Sequence, residues 1–131
     1  MKKATIALAA AVLLSPIAMA DVVIIGHPSG PDSVAENTVR DIYLNRDKSL
    51  TPFELPEGNA TRAEFHDKIT GRNDAQLKAF WSKQVFTGRG NAPKEHGSSG
   101  AMKAAVASTP GSIGYLDAGE VDDSVKVLLT P

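Results

Sequence analysis

The sequence contains no cysteine, has almost no net charge and carries only one long hydrophobic run. Without cysteine, no disulfide can stabilise the chain of 131 residues, so its stability must come from an apolar core. Cysteine is also excluded as a nucleophile and as a metal ligand. The formal net charge of −1 argues against a nucleic-acid partner, because non-specific binding to nucleic acid needs a basic surface.

Residues 1–20 contain the one hydrophobic run and are typical of a secretory signal peptide. Two lysines precede an apolar segment, residues 4–14, and the sequence Ala-Met-Ala ends the stretch with the pattern of a cleavage site. The apolar segment is too short for a membrane-spanning helix. We therefore expect a periplasmic protein in which residues 21–131 form a single domain.

Strand and helix patterns follow one another over residues 21–131 and predict an α/β domain. Residues 21–25 are rich in β-branched side chains and predict a strand buried on both faces. Residues 112–116 and 124–129 predict two closing strands, and residues 51–55 predict a short strand at a sheet edge. The order of elements favours a small mixed sheet flanked by helices.

Four helices are predicted from their start and stop signals. Ser33 and Glu36 have the spacing of a capping box before a helix that ends near residue 44. A second helix covers residues 61–69 and ends at Gly71. The third covers residues 75–85 after a cap at residue 73 or 74, and the fourth ends near residue 108. The third helix has four apolar residues at helical spacing, which predict core packing: Leu77, Phe80, Trp81 and Val85.

The stretch LPEGNATRAEF, residues 55–65, is the strongest candidate for a binding site. A glycine turn leads directly into a helix, whose first amides are unpaired and carry the positive end of the helix dipole, so an anion is the expected ligand. The alternative is a capping box formed by Thr61 and Glu64, which would use some of these amides internally. The candidate anion-binding residues are Gly58, Asn59, Ala60, Thr61 and Arg62.

Two further segments are candidates for the same anion site. The helix start at Ser98, Ser99 and Gly100 has no acidic residue three positions later, so more of its amides are available to a ligand. The alternative is an ordinary serine cap. Ser29 lies in the loop after the first strand. Because ligands of α/β folds gather where the carboxyl ends of strands lead into helices, we expect all three segments to lie together.

Catalytic and metal sites are not predicted. The three histidines, His27, His66 and His96, are scattered without metal-binding spacing and are expected on the surface or in loops. The serine pair at residues 98–99 lacks the glycine-flanked setting of a nucleophile elbow. The chain is therefore not expected to be an enzyme or to need a cofactor.

Three segments together resemble the type 2 periplasmic binding proteins: LPEGNATRAEF, TGRNDAQLKAFWSKQVFTGRG and VASTPGSIGYLD. The resemblance is greatest to the phosphate-binding component of phosphate ABC transporters. It covers nearly all of residues 22–129, and PGSIGYLD is its most specific part. Family proteins have two lobes around a cleft and hold a tetrahedral oxyanion with helix N-termini, hydroxyls and an arginine. The resemblance implies that this chain forms one such lobe.

The family's phosphate-loop pattern, roughly D-G-S-G-T, falls on residues 57–61. Gly58 and Thr61 match it, whereas Asn59 and Ala60 replace Ser-Gly and remove one hydroxyl donor. The serine pair at residues 98–99 lies where the family has a Gly-rich helix start. Ser29 lies where the family has its first hydroxyl contact.

The implied function is periplasmic binding of phosphate or a similar oxyanion, in ABC-type uptake or sensing. The implied partners are an ABC permease or another periplasmic protein. Because residues 21–131 have room for one lobe only, three outcomes stay open. The lobe binds an anion weakly, it pairs with itself as a homodimer, or it has lost the ligand and acts as a non-catalytic interaction or structural protein.

Overall fold

The computed structural model describes residues 21–131, and the signal peptide predicted for residues 1–20 lies outside the described residues. Strands and helices alternate through most of this range. In chain order they are β1 (Val22–Gly26), α1 (Glu36–Tyr43), β2 (Thr51–Glu54), α2 (Ala60–Ile69), α3 (Asp74–Phe86), β3 (Lys94–Glu95), α4 (Ser99–Ser108), β4 (Ser112–Asp117) and β5 (Lys126–Leu129). A short 3₁₀ turn, Ala118–Glu120, follows β4.

The strands form one mixed sheet in the order β3-β2-β4-β1-β5, as the α/β prediction required. β2 runs parallel to β3 and β4, whereas β1 runs antiparallel to both β4 and β5. The strands β2, β3 and β4 therefore finish at one end of the sheet, which we call the carboxyl end. β1 finishes at the opposite end, because Val22 pairs with Asp117 and Gly26 pairs with Ile113.

Helices cover both faces of the sheet. Alternate residues of β4 point to opposite faces, so Tyr115 and Gly114 meet different helices. The Tyr115 ring stacks on Phe65 of α2 at 4.0 Å and lies 6.1 Å from Tyr43 of α1. Gly114 faces α4. All five residues of β1 are buried between these layers, as predicted.

Gly114 is a point of close approach between the sheet and α4. A Cβ atom there would lie 2.6 Å from Sδ of Met102 and 3.1 Å from Cγ2 of Val106. Gly114→Ala should therefore lower the free energy of unfolding by about 1–3 kcal/mol through overpacking. Gly119→Ala is the matched control, since nothing lies within 4 Å of a Cβ at that position. Equal midpoints for both variants in a urea titration would contradict this prediction.

A helix cap and a loop were predicted wrongly before α1 and at β3. The capping box at Ser33 and Glu36 does not form: α1 begins at Glu36 after Ala35, which makes no side-chain cap. The preceding segment is instead tied to β5, because the amide of Val34 donates to the carbonyl of Leu128 and Lys126 pairs with Asp32. β3 lies in a region predicted to be a loop, since a strand of two residues has no periodic pattern.

The predicted apolar stripe of α3 is only half buried. Leu77 and Trp81 are buried, Phe80 is half-buried and Val85 is 51% exposed. α3 does not join the core between the sheet and the other helices. The Trp81 side of α3 instead faces β2 and the loop before β3, so only a narrow strip of the helix is covered. The cap at Asn73 is confirmed, in a capping box with Gln76.

Candidate functional site

Two of the three predicted anion segments lie together. β2 leads into residues 58–62, and β3 leads into the serine pair at the start of α4, so both segments lie at the carboxyl end of the sheet. Ser29 follows β1 and lies at the opposite end. The prediction that all three meet is therefore wrong, because β1 runs against β2 and β4. The Ser29 hydroxyl is instead 2.8 Å from Nδ1 of His27.

The start of α2 is capped by Asn59. Its side-chain oxygen accepts a hydrogen bond from the amide of Arg62 at 3.0 Å, and the helix begins at Ala60. The alternative of a capping box at Thr61 and Glu64 does not form, because Thr61 already lies inside the helix. The Thr61 hydroxyl instead points to the end of β4, 3.4 Å from both carboxylate oxygens of Asp117.

The start of α4 is capped by Ser98, whose hydroxyl accepts a hydrogen bond from the amide of Ala101 at 3.1 Å. This is the serine-cap alternative, and it uses one of the first-turn amides. Other amides at the two helix starts have no acceptor among residues 21–131. We call them the free amides, and they belong to Ala60, Thr61, Ser99 and Gly100.

Arg62 is held in one position by three acceptors. Its side chain is only 7% exposed, and its Nε donates to Oδ1 of Asp74 at 2.9 Å. Its Nη1 donates to the carbonyl of Leu55 at 2.9 Å and to Oε2 of Glu95 at 3.3 Å. Burial alone would lower the pKa of Arg62, but nearby carboxylates, Glu54 first among them, raise it overall. Arg62 is therefore a fixed cation at the carboxyl end of the sheet.

The carboxylate of Asp74 binds the donors that the sequence offers to an anion. Its Oδ2 accepts the amide of Gly58 at 2.9 Å, while its Oδ1 accepts the guanidinium of Arg62. Burial alone would raise the pKa of Asp74, but the Gly58 amide and Arg62 lower it overall. An ionised carboxylate of the chain itself therefore fills the glycine turn before α2. Sequence patterns did not reveal this contact, because Asp74 reads as a helix-start residue.

A buried polar network lies directly below this turn. Oε1 of Glu54 accepts the hydroxyl of Tyr115 at 2.5 Å, and Oε2 of Glu54 is 2.7 Å from Nε2 of His66. Nδ1 of His66 is 2.9 Å from the hydroxyl of Thr70. The Tyr115 hydroxyl also accepts the amide of Leu55, which fixes the chain where it leaves β2. Burial and the Glu54 charge raise the pKa of Tyr115 above its usual range.

This network corrects the prediction that His66 lies on the surface, because its side chain is 1% exposed. His96 is half-buried against the ring of Phe53, with ring centroids 4.7 Å apart. Within residues 21–131, no group of three or more metal-binding side chains is placed to hold an ion. In the same range, no helix is both long and apolar enough to cross a membrane.

Comparison with known proteins finds similarity at the level of the fold. No family model matches the sequence, and no curated protein matches it. Among solved structures, the chain is similar to a Clostridium perfringens protein described as a phosphate ABC transporter substrate-binding protein with bound phosphate. The TM-score is 0.67 at 21% identity, and the match covers 83% of this chain and 44% of that one.

An ABC-type phosphate transport receptor from Vibrio cholerae is similar in the same way. The TM-score is 0.64 at 17% identity, and the match covers 83% of this chain and 45% of that one. The match therefore spans less than half the length of either protein, and neither is described as an enzyme. The α/β fold, with its five-stranded mixed sheet and four helices, matches one lobe of a periplasmic-binding-protein-like fold.

Proposed function

We propose that the chain is a periplasmic protein that binds phosphate or a similar oxyanion at the carboxyl end of its sheet. The observation that carries the proposal is the pair of helix starts at this end, α2 and α4, with their free amides. Helix starts bind anions because unpaired amides and the helix dipole act in the same direction. The bound phosphate of the C. perfringens protein supports the choice of ligand.

The expected affinity is low. A hydrogen bond to a charged group contributes about 1.5–3 kcal/mol, and association costs roughly 4 kcal/mol or more. Three such bonds less this cost leave about 0.5–5 kcal/mol, which corresponds to a dissociation constant of roughly 0.2 mM or weaker. The carboxylates of Asp74, Glu95 and Asp117 lie at the same end of the sheet, and their negative charges repel an incoming anion. A role in delivery to an ABC permease, or in sensing, follows from the fold-level likeness alone.

Proline substitution can test the free amides without disturbing the helices. Ala60 and Ser99 are the first residues of α2 and α4, and both follow a residue with extended backbone. Proline is favoured at this position, and it removes an amide that no chain group uses. Ala60→Pro and Ser99→Pro should therefore each lower phosphate affinity about tenfold or more, because each removes a hydrogen bond to a charged ligand.

The measurement is thermal unfolding of the purified chain with phosphate titrated against chloride at matched ionic strength, and with sulfate as a second oxyanion. A 100-fold excess of ligand over Kd stabilises the folded state by about 2.7 kcal/mol. Glu36→Pro is the control, because Glu36 is the first residue of α1, a helix start outside the candidate anion segments. Ser99→Ala separates the hydroxyl from the amide. Absence of any saturable shift with either oxyanion would refute the proposal.

The second candidate is a non-catalytic interaction protein that keeps the lobe without the ligand. It is favoured by one observation, the Asp74 carboxylate in the glycine turn, which satisfies the Gly58 amide and Arg62 internally. The same titration discriminates the two functions. If the chain is an interaction protein, phosphate and sulfate should not raise the melting temperature of the wild type, and the proline variants should give the same result.

A further inference from the structure

A histidine and a glutamate are buried together below the glycine turn, and the proposed function uses neither of them. Nε2 of His66 lies 2.7 Å from Oε2 of Glu54, and both side chains are almost fully buried. Two ionisable side chains are rarely buried unless each has a partner, because burial disfavours a charged group. The protons held by this pair therefore determine how much charge lies inside the fold.

The protons on the Tyr115 side of the pair have fixed places. The Tyr115 oxygen accepts the amide of Leu55 at 3.0 Å, and its hydroxyl proton goes to Oε1 of Glu54. Oε2 of Glu54 and Nε2 of His66 then share one proton, which lies on the ring or on the carboxyl group. The pair keeps its hydrogen bond in either case, so the variable proton must lie at the other ring nitrogen.

Thr70 offers one proton to two acceptors at that second nitrogen. Its hydroxyl oxygen lies 2.9 Å from Nδ1 of His66 and 3.3 Å from the carbonyl oxygen of the same residue. When the hydroxyl donates to the carbonyl, Nδ1 must carry its own proton, and the Glu54–His66 pair has no net charge. When the hydroxyl donates to Nδ1, that nitrogen is bare, and the pair carries one negative charge. Rotation of one hydroxyl thus accommodates both protonation states.

His66 also lines a cavity that connects it with solvent. The cavity has a volume of about 780 Å³ and is lined by residues of α2 and of the start of α3, among them the exposed Asp67 and Gly71. Histidine is the side chain that gains and loses a proton near neutral pH. The cavity is therefore a route by which the buried pair exchanges a proton with solvent.

Other ionisable side chains lie around the pair on the elements packed against it. They are Arg40 and Tyr43 of α1, Arg62, Glu64 and Asp67 of α2, Arg72 before α3, Asp74 of α3 and Tyr115 of β4. Both tyrosines keep their protons, because burial and then the Glu54 charge raise the pKa of each above its usual range. The buried network therefore exchanges protons at Glu54 and His66 and not at the tyrosines.

Two contacts connect the pair with the candidate oxyanion site. The peptide group of Leu55 is held on both sides, because its amide donates to Tyr115 and its carbonyl accepts Nη1 of Arg62 at 2.9 Å. Burial alone would lower the pKa of Arg62, and Glu54 is the first of the charges that raise it instead. A change in the charge of the pair therefore acts on the fixed cation of the site.

We propose that the Glu54–His66 pair is a proton switch that controls the turn and the cation of the oxyanion site. The protonated pair is neutral, so the carboxyl end of the sheet attracts an anion more strongly. As pH rises, Nδ1 releases its proton to solvent, the Thr70 hydroxyl turns to Nδ1, and the negative charge left on the pair repels the ligand. Oxyanion affinity should therefore fall about fivefold or more across the transition. The effect on a ligand rests on the proposed function, whereas the proton exchange does not.

Nitrogen-15 NMR of the histidine rings, in the purified chain without oxyanion, tests the switch itself. Nδ1 of His66 should be protonated at the low end of a titration from about pH 5 to about pH 9 and bare at the high end. The amides of Leu55, Gly58 and Arg62 should shift with the same midpoint, because the turn senses the charge of the pair. A His66 ring that keeps one protonation state overturns the proposal, and so do turn amides that do not follow the ring.

Phosphate and sulfate titrations at matched ionic strength, followed by the same amides, test the effect on a ligand. The wild type is compared with His66→Gln, because glutamine offers Glu54 a neutral amide and cannot take up the variable proton. Phosphate changes its own protonation near neutral pH, but the ratio of the two dissociation constants at one pH cancels that change. His66→Gln should bind about fivefold more weakly or worse at low pH and equally well at high pH. A ratio that is the same at every pH contradicts the control by the pair.

The same substitution at the other two histidines provides matched controls. His27 follows β1 at the opposite end of the sheet. His96 precedes α4, but burial and the nearby Lys94 lower its pKa, so it is the wrong group to take up a proton near neutral pH. His27→Gln and His96→Gln should both keep the pH dependence of the wild type. Loss of that dependence in either variant would assign the switch to another histidine and refute the proposal.

Thr70 provides a second pair of variants that leaves His66 in place. Thr70→Val removes the hydroxyl and leaves a protonated Nδ1 without an acceptor, so the His66 transition should move to lower pH. Thr70→Ser keeps a hydroxyl and should restore the wild-type midpoint. These variants keep the proposal testable if His66→Gln does not fold. A midpoint that is the same in all three proteins would show that Thr70 takes no part and would overturn the switch as proposed.

The two kinds of measurement separate the switch from the proposed function. If the His66 ring and the turn amides titrate together but neither oxyanion binds at any pH, the pair controls the turn and the proposed function fails. If an oxyanion binds with a ratio that does not depend on pH, the oxyanion site stands and its control by Glu54 and His66 is refuted.

Discussion

Glu54→Ala should lower the free energy of unfolding by about 3–5 kcal/mol, because it removes one partner from a buried, hydrogen-bonded pair. Glu54 is 3% exposed, and it is the acceptor for Tyr115 on one oxygen and the partner of His66 on the other. Without it, the O–H donor of Tyr115 and an imidazole nitrogen of His66 would lie buried without an acceptor or partner, although the Tyr115 oxygen would still accept the amide of Leu55. The expected fall in the melting temperature is roughly 10–20 °C.

Three comparisons make this prediction specific. Glu57→Ala removes an exposed carboxylate three residues away and should change stability by less than about 0.5 kcal/mol. Glu54→Gln keeps an acceptor for Tyr115, so its free energy of unfolding should fall less than that of the alanine variant. The double variant Glu54→Leu, His66→Leu should lose less than the two single losses added together, since it leaves no unpaired group between these two residues. Additive losses would show that the pair is not coupled.

The fold was largely predictable because its main strands carry strong local signals. The β-branched run of β1 and the segment SIGYLD of β4 are buried on nearly every position, and such runs identify buried strands without tertiary information. β3 could not be found in this way. It consists of Lys94 and Glu95, both exposed, and it exists because their backbone pairs with Phe53 and Glu54.

The local sequence pattern of a strand does not show in which direction the strand runs. For this reason Ser29 was wrongly predicted to lie beside the other two anion segments. Burial of β1 would be the same whether it ran parallel or antiparallel to β4. Only the register, with Val22 opposite Asp117, places Ser29 at the end of the sheet away from α2 and α4. The other two segments lie at the same end of the sheet because β2 and β3 are parallel neighbours.

The contacts between the polar groups around the site could not be predicted, because their residues are far apart along the chain. Glu54 and Tyr115 are 61 residues apart, and Arg62 and Glu95 are 33 apart, so no spacing rule could join them. Arg62 and Asp74 are 12 apart and lie in different helices. Each residue also had an ordinary local explanation, such as the helix-start position of Asp74. The sequence thus indicated a candidate anion site but not the chain's own groups that make hydrogen bonds there.

Asp74→Asn should raise the affinity for phosphate about tenfold if the proposed oxyanion site includes the glycine turn. The Asp74 carboxylate accepts hydrogen bonds from the Gly58 amide and from Nε of Arg62. An incoming oxyanion must therefore compete with the carboxylate for these two donors. Hydrogen bonds that involve a charged group are roughly twice as strong as neutral ones, so the neutral amide is the weaker competitor. The change also removes one negative charge beside the ligand. A difference of about 1.4 kcal/mol corresponds to the tenfold gain.

The same variant should be less stable without ligand, because the ionised carboxylate stabilises the fold through Gly58 and Arg62. Asp123→Asn is the matched control: Asp123 is exposed, has no contact among those described, and loses the same charge. It should leave both the melting temperature and the phosphate affinity nearly unchanged. Isothermal titration of phosphate into the three proteins separates the effects.

If Asp74→Asn is destabilised but binds phosphate no better than the wild type, Asp74 fixes the turn and Arg62 in place and does not compete with an anion. Weaker binding would mean that the ligand depends on the position in which Asp74 holds Arg62. A gain confined to Asp74→Asn would identify Asp74 as an internal substitute for the ligand, which keeps Arg62 and the glycine turn ordered when no anion is bound.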